Sequence, residues 1–203
     1  MGALDAHDRR ESAETTVERV TTAAGVVAPT VALGSIFLAT VLSGEFSWTE
    51  DPLSFLGAVG QPTRSLFNYG LLLGGVISLP FAYRLVQTSR GRVERIGGVA
   101  FAFAGVAMAL IGVFPMGATY HFPAAASFYL LVTVTTVLYG TGNVLVGDSR
   151  LGALTIGLGV LNVAAWVVYL TVFEPTGLSL AAPEIVGALA FGGWTTGTAV
   201  RLA

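Results

Sequence analysis

Six stretches of this chain are nearly free of charge: residues 22–43, 65–83, 96–116, 124–146, 151–173 and 184–200. The first five hold no Asp, Glu, Lys or Arg, and the sixth only Glu184 at its start. This constrains the fold more than any other feature. A helix crossing the roughly 30 Å hydrocarbon core needs about 20 mainly apolar residues. Membrane β-strands are shorter and alternate in polarity, and these runs do not alternate. A chain of 203 residues is too small to bury six such helices inside a soluble fold. Its charged fraction, 11%, falls far below the roughly 25% of soluble domains. The expected fold class is therefore all-α, a polytopic membrane bundle of six transmembrane helices. A polar N-terminal tail over 1–21, partly helical around 12–20, precedes a six-span membrane domain over 22–203.

Orientation follows from arginine, because positive charges near span ends favour the cytoplasmic side. With the tail inside, the inner regions hold Arg9, Arg10, Arg19, Arg84, Arg90, Arg92, Arg95, Arg150 and Arg201, and the outer loops only Arg64. This predicts a multi-pass protein of the cell membrane with both termini cytoplasmic. The polar first twenty residues lack a basic-then-apolar secretory pattern, and Ala6 stands where myristoylation needs Ser or Thr. The absence of cysteine excludes disulfides, thiolate metal sites and a thiol nucleophile. The absence of lysine excludes Schiff-base chemistry. A net charge of −2 argues against nucleic acid as a partner.

In this topology the varied polar side chains fall outside: Glu45, Glu50, Asp51, Ser54, Gln61, Arg64, Asn68, His121, Glu174 and Glu184. The first outer connection, "EDPLSFLGAVGQPTRSLFN" over 50–68, reads as a structured cap. Asp51 is placed to cap a short helix beginning at Pro52. Trp48 and Phe55 would anchor that helix at headgroup depth, and Gly57 and Gly60 would end it. Arg64 and Asn68 are four apart and share a helix face. Either they bind a polar headgroup, with Ser54 nearby, or Arg64 pairs with Glu50, Asp51 or Glu184 while Asn68 serves a neighbouring helix.

His121 has a reference pKa near neutrality and is the candidate general base, with Asp51 or Glu184 as its carboxylate partner. The bland alternative is an interfacial polar group. No HxxxH zinc pattern is present, and neither a metal nor a cofactor is expected. Glu184 either serves the helix dipole at the start of the last span or turns inward to accept from Arg64 or His121. Asn143 and Asn162 are the amides within spans, and Asn162, the deep one, is expected to bond across helices. No chain of intramembrane acids suggests a proton relay. Gly70 with Gly74, and Gly193 with Gly197, place small residues on one face each, as close helix approach requires.

Several segments resemble the DUF998 family of six-helix prokaryotic membrane proteins. They are "DPLSFLGA" at 51–58, "RSLFNYGLLLGG" at 64–75, "GVFP" at 112–115, "HFPAA" at 121–125 and "PEIVGALA" at 183–190. The resemblance covers nearly all of 22–200 and implies the six-helix fold. It brings no function. The family pattern commonly has an Asp where this chain has Phe55, which argues against a mechanism needing an acid there. The outer histidine and early loop also look, more remotely, like Frag1/DRAM-type membrane proteins, a likeness that carries no chemistry.

The expected function is binding of a lipid or small hydrophobic ligand at the outer face, with Arg64, Asn68, Ser54, His121 and Glu184 as ligand contacts. One alternative is a membrane lipid hydrolase or transferase using His121 with Asp51 or Glu184. Another is a transporter or a subunit of a membrane complex. Membrane lipids are the expected partners, and the glycine faces would suit a homo-oligomer.

Overall fold

The computed structural model describes residues 2–203, with side chains from residue 14 onward. Among these residues there are six long helices and no strand. They are α1 (Gly2–Leu42), α2 (Arg64–Thr88), α3 (Arg92–Val113), α4 (His121–Leu145), α5 (Ser149–Val168) and α6 (Ala181–Leu202). A 3-10 helix, Leu53–Gly57, lies between α1 and α2. A π-helical turn, Tyr169–Phe173, and a short 3-10 turn, Glu174–Thr176, prolong α5. Helix α1 is continuous through the tail segment and runs past Pro29, as α2 runs past Pro80.

Each helix packs on the next, and α6 closes the bundle by contacting both α1 and α5. Both described chain ends therefore lie at one end of the bundle, here the terminal end. The α1–α2, α3–α4 and α5–α6 connections form the distal end.

Five segments are long and apolar enough to cross a membrane: Glu14–Leu42, Arg64–Thr88, Arg92–Val113, His121–Leu145 and Ser149–Thr176. Helix α6 is as long as α3 but carries three threonines where α3 has none, with Glu184 and Arg201 near its ends. Half of α6 is buried against the other helices, compared with one fifth of α5. The outward faces are apolar, with Val41, Phe103, Phe122, Leu130, Leu154 and Leu170 all exposed. A soluble monomer does not carry so wide an apolar wall. The chain is a multi-pass membrane protein, and these faces meet lipid.

Lipid tails are as apolar as Leu, so helices in a membrane gain by close packing rather than by leaving water. Gly74 meets Ala32 and the Ala28 carbonyl of α1, and Gly75 meets Gly105 and Ala109 of α3. The Gly70–Gly74 face thus seats α2 on α1, where Ser35 abuts Gly70. Gly193 and Gly197 differ: open space surrounds the place where a Cβ would stand on each. At mid-bundle, Phe101 of α3 packs on Phe191 and Trp194 of α6, with ring centroids 5.2 and 5.8 Å away. Phe81, Phe128 and Tyr139 complete this aromatic layer.

Candidate functional site

The α1–α2 connection folds back over the distal end. It is fastened there mostly through its main chain. Thr63 Oγ1 donates to the Leu56 carbonyl at 2.9 Å, and Asn68 Nδ2 donates to the Gly57 carbonyl at 2.9 Å. Across the bundle, the Ser179 N–H donates to the Thr49 carbonyl and Ser179 Oγ to the Trp48 carbonyl. Leu53 and Leu56 point into the protein and are buried. The connection is a roof.

Its central fastening is Glu184. The Leu53 N–H donates to Glu184 Oε2 at 2.6 Å. Leu53 opens the 3-10 helix, so its N–H has no partner within that helix. Pro52, at the N-cap, offers no side-chain acceptor. Both groups are buried, Leu53 at 4% exposure and Glu184 at 8%. The carboxyl of α6 thus caps a helix belonging to a different connection.

Asp51 was expected to supply that cap. Its carboxylate instead accepts from the Ser47 N–H at 2.9 Å and braces the turn before the helix. The reason is local geometry: Pro52 sits at the cap position itself rather than one residue inside, so Asp51 lies too early in the chain. The helix is also shorter than expected, five residues of 3-10 type.

Below the roof lies a cavity of ≈ 70 Å³. That is several times the roughly 10–15 Å³ one buried water needs. Its walls come from α1, α2, α3, α4 and α6 and are mostly apolar, with Phe101, Phe128 and Phe191 toward mid-bundle. On α6 they run from Glu184 to Thr195, roughly 16 Å of helix. Ser54, His121 and Glu184 all line it at the distal end. Tyr129 joins them, its hydroxyl donating to the Glu184 main-chain carbonyl at 3.2 Å.

His121 begins α4 and is half-buried. Its Nδ1 lies 2.8 Å from the Phe114 carbonyl, which closes α3. A carbonyl only accepts, so Nδ1 carries a proton, and in the neutral form of the ring the lone pair is on Nε2. This hydrogen bond fixes the ring's tautomer without any carboxylate.

The fold brings Ser54, His121 and Glu184 to one cavity. Asp51 does not line it, and neither does Arg64 or Asn68. Arg64 opens α2, is exposed, and forms no ion pair or side-chain hydrogen bond among the described residues. Neither Arg64 nor His121 bonds to Glu184, whose partner is the Leu53 main chain. Asn68 holds the roof. Among the described residues, no three His, Asp or Glu side chains cluster as metal ligands.

The terminal end holds a second polar cluster that the arginine pattern alone does not reveal. Glu94, 1% exposed, accepts from the Arg90 N–H at 2.6 Å and from Arg90 Nη2 at 3.3 Å. Arg90 Nη2 also donates to Asn143 Oδ1 at 2.7 Å. Asp148 lies 3.7 Å from Arg90 and 3.2 Å from Arg201. Arg84 pairs with Glu18 at 2.8 Å. The available signals were the i,i+4 spacing of Arg90 and Glu94 and an amide inside a span at Asn143. Asn162, the other intraspan amide, donates to the Tyr129 carbonyl and to Thr133 Oγ1, joining α5 to α4.

A family model described as "Protein of unknown function (DUF998)" matches residues 26–201. No curated protein and no solved structure matches the chain.

Proposed function

This chain belongs to the DUF998 family, whose function is unknown, and we propose that it binds a small apolar molecule with one polar end in the cavity beneath its distal roof. The apolar part occupies the shaft between α1, α3, α4 and α6. The polar end meets Ser54, His121 and Glu184. Exposed Arg64 contacts lipid headgroups at the surrounding membrane surface, and Asn68 serves by holding the roof. Both termini face the cytoplasm. That orientation is supported by the concentration of arginine at the terminal end, with only Arg64 at the other.

The carrying observation is the cavity itself: a mostly apolar enclosure with a few convergent polar groups at one end. Ligand sites are commonly built this way. The test is native mass spectrometry of the full chain extracted in mild detergent, with lipid identification on the same sample. One apolar molecule retained per chain is expected. Two variants that fill the cavity from different helices, Ala188→Phe on α6 and Ala125→Leu on α4, should lose it while remaining folded. Retention of no molecule by the wild type, or undiminished retention by both folded variants, overturns the proposal.

A further inference from the structure

The groups at the polar end of the cavity restrict which head can meet them. We infer that the site takes a molecule whose head donates hydrogen bonds, a neutral alcohol or an amine on an apolar chain, and excludes an anionic head such as a carboxylate or phosphate. This rests on the cavity-binding reading above and specifies its ligand.

Three observations carry it. First, Glu184 lines the cavity with a carboxyl that is engaged by one N–H only, at Oε2. Among the described residues its Oε1 has no hydrogen bond, so it stands ready to accept one. Second, the bond from His121 Nδ1 to the Phe114 carbonyl leaves the neutral ring with an acceptor at Nε2. Of the three titratable side chains on the wall, Glu184 and His121 offer lone pairs, Tyr129 has its hydroxyl hydrogen engaged by the Glu184 main-chain carbonyl, and Ser54 can either donate or accept. Third, no arginine lines the cavity, and the chain has no lysine. Arg64, the single arginine at this end, is exposed and outside the wall.

With Glu184 ionised, as the alkaline pH of the test favours, an anion at this position would face a buried carboxylate without a fixed cation. Like charges in a buried site repel strongly. The anion could enter only with Glu184 in its neutral, protonated form. A hydroxyl or amine requires no such change: it donates to Oε1 of Glu184 or Nε2 of His121 while its chain fills the apolar shaft. An ammonium adds attraction to the carboxylate.

The test compares butanol, butylamine and butanoic acid, short enough for a cavity of ≈ 70 Å³ and equal in chain length, in equilibrium binding to the full chain in lipid nanodiscs at mildly alkaline pH, with empty nanodiscs as the baseline. The expected result is saturable binding of the alcohol and the amine, with the acid at least tenfold weaker. Glu184→Gln keeps an acceptor for the Leu53 N–H while removing the charge, and it should narrow the gap between acid and alcohol. Acid binding as tight as the alcohol overturns the head-group inference and leaves the cavity reading standing. Binding of none of the three above the baseline overturns the cavity reading as well.

Discussion

The Glu184 carboxyl of α6 accepts the N–H of Leu53, 131 residues earlier in the chain, at 2.6 Å. A single side chain therefore joins the first connection of the bundle to its last helix and also forms part of the cavity wall. Replacing it separates these roles. Glu184→Leu leaves a buried N–H without a partner, which costs about 1–3 kcal/mol. Glu184→Gln retains an acceptor and should be the milder change. Reversible unfolding in bicelles measures both, and equal losses would count against the cap.

Asn68 tests the roof from the α2 side. Asn68→Leu removes the donor that holds the Gly57 carbonyl. The expected effect is local: hydrogen exchange over 53–57 should quicken roughly fivefold, the equivalent of about 1 kcal/mol. Exchange in α3 should be unchanged. Unaltered protection of 53–57 would mean that the buried Leu53 and Leu56 hold the roof alone.

Two glycines provide a packing contrast. A Cβ on Gly142 would lie 2.6 Å from the Glu94 Cα and 2.6 Å from its Cβ, at the seam of α4 with α3. Gly157 on α5 faces open space. Gly142→Ala should destabilise by about 1–3 kcal/mol through overpacking. Gly157→Ala should be neutral or stabilising by up to about 1 kcal/mol, the helix preference of Ala over Gly. Comparable losses in the two variants would refute the assigned close approach.

Orientation is checked by reporter fusions. A reporter active only outside the cytoplasm should be inactive after Ala203 and active when inserted at Gly60 in the α1–α2 connection. The reverse pattern would place the arginine-rich end outside.

Five of the six helices were legible because length and hydropathy decide what can cross a bilayer, and both are properties of the sequence alone; α6 was legible as the uncharged run that follows Glu184. The roof was partly legible: Pro, Gly and mixed polarity over 50–68 marked an ordered cap. Its fastenings were not, because they join side chains to peptide groups. Glu184 invites a search for a cation, yet its partner is the main chain of Leu53. Asp51 looked like a helix cap, but the exact position of Pro52 gave it to the Ser47 turn. Ser54, His121 and Glu184 were each visible as polar residues near span ends. Their meeting in one cavity depends on how α6 sits against α1, α3 and α4, which no local pattern encodes. At the terminal end, Asn143 was visible as an intraspan amide, but its partner Arg90 lies 53 residues away.

The two ends of the bundle use polar residues differently. Among the described residues every ion pair lies at the terminal end, where Arg90, Glu94, Asp148, Arg201, Arg84 and Glu18 meet side chain to side chain. At the distal end, Glu184, Asp51, Asn68, Thr63, His121 and Ser179 reach for peptide groups. A contact between two side chains can be exchanged, Arg201 with Asp148 for example, because each partner can change to suit the other. A peptide group has only one chemistry to offer. Sequence drift at the terminal end can therefore proceed by paired replacements, whereas at the distal end each residue must be kept or lost singly.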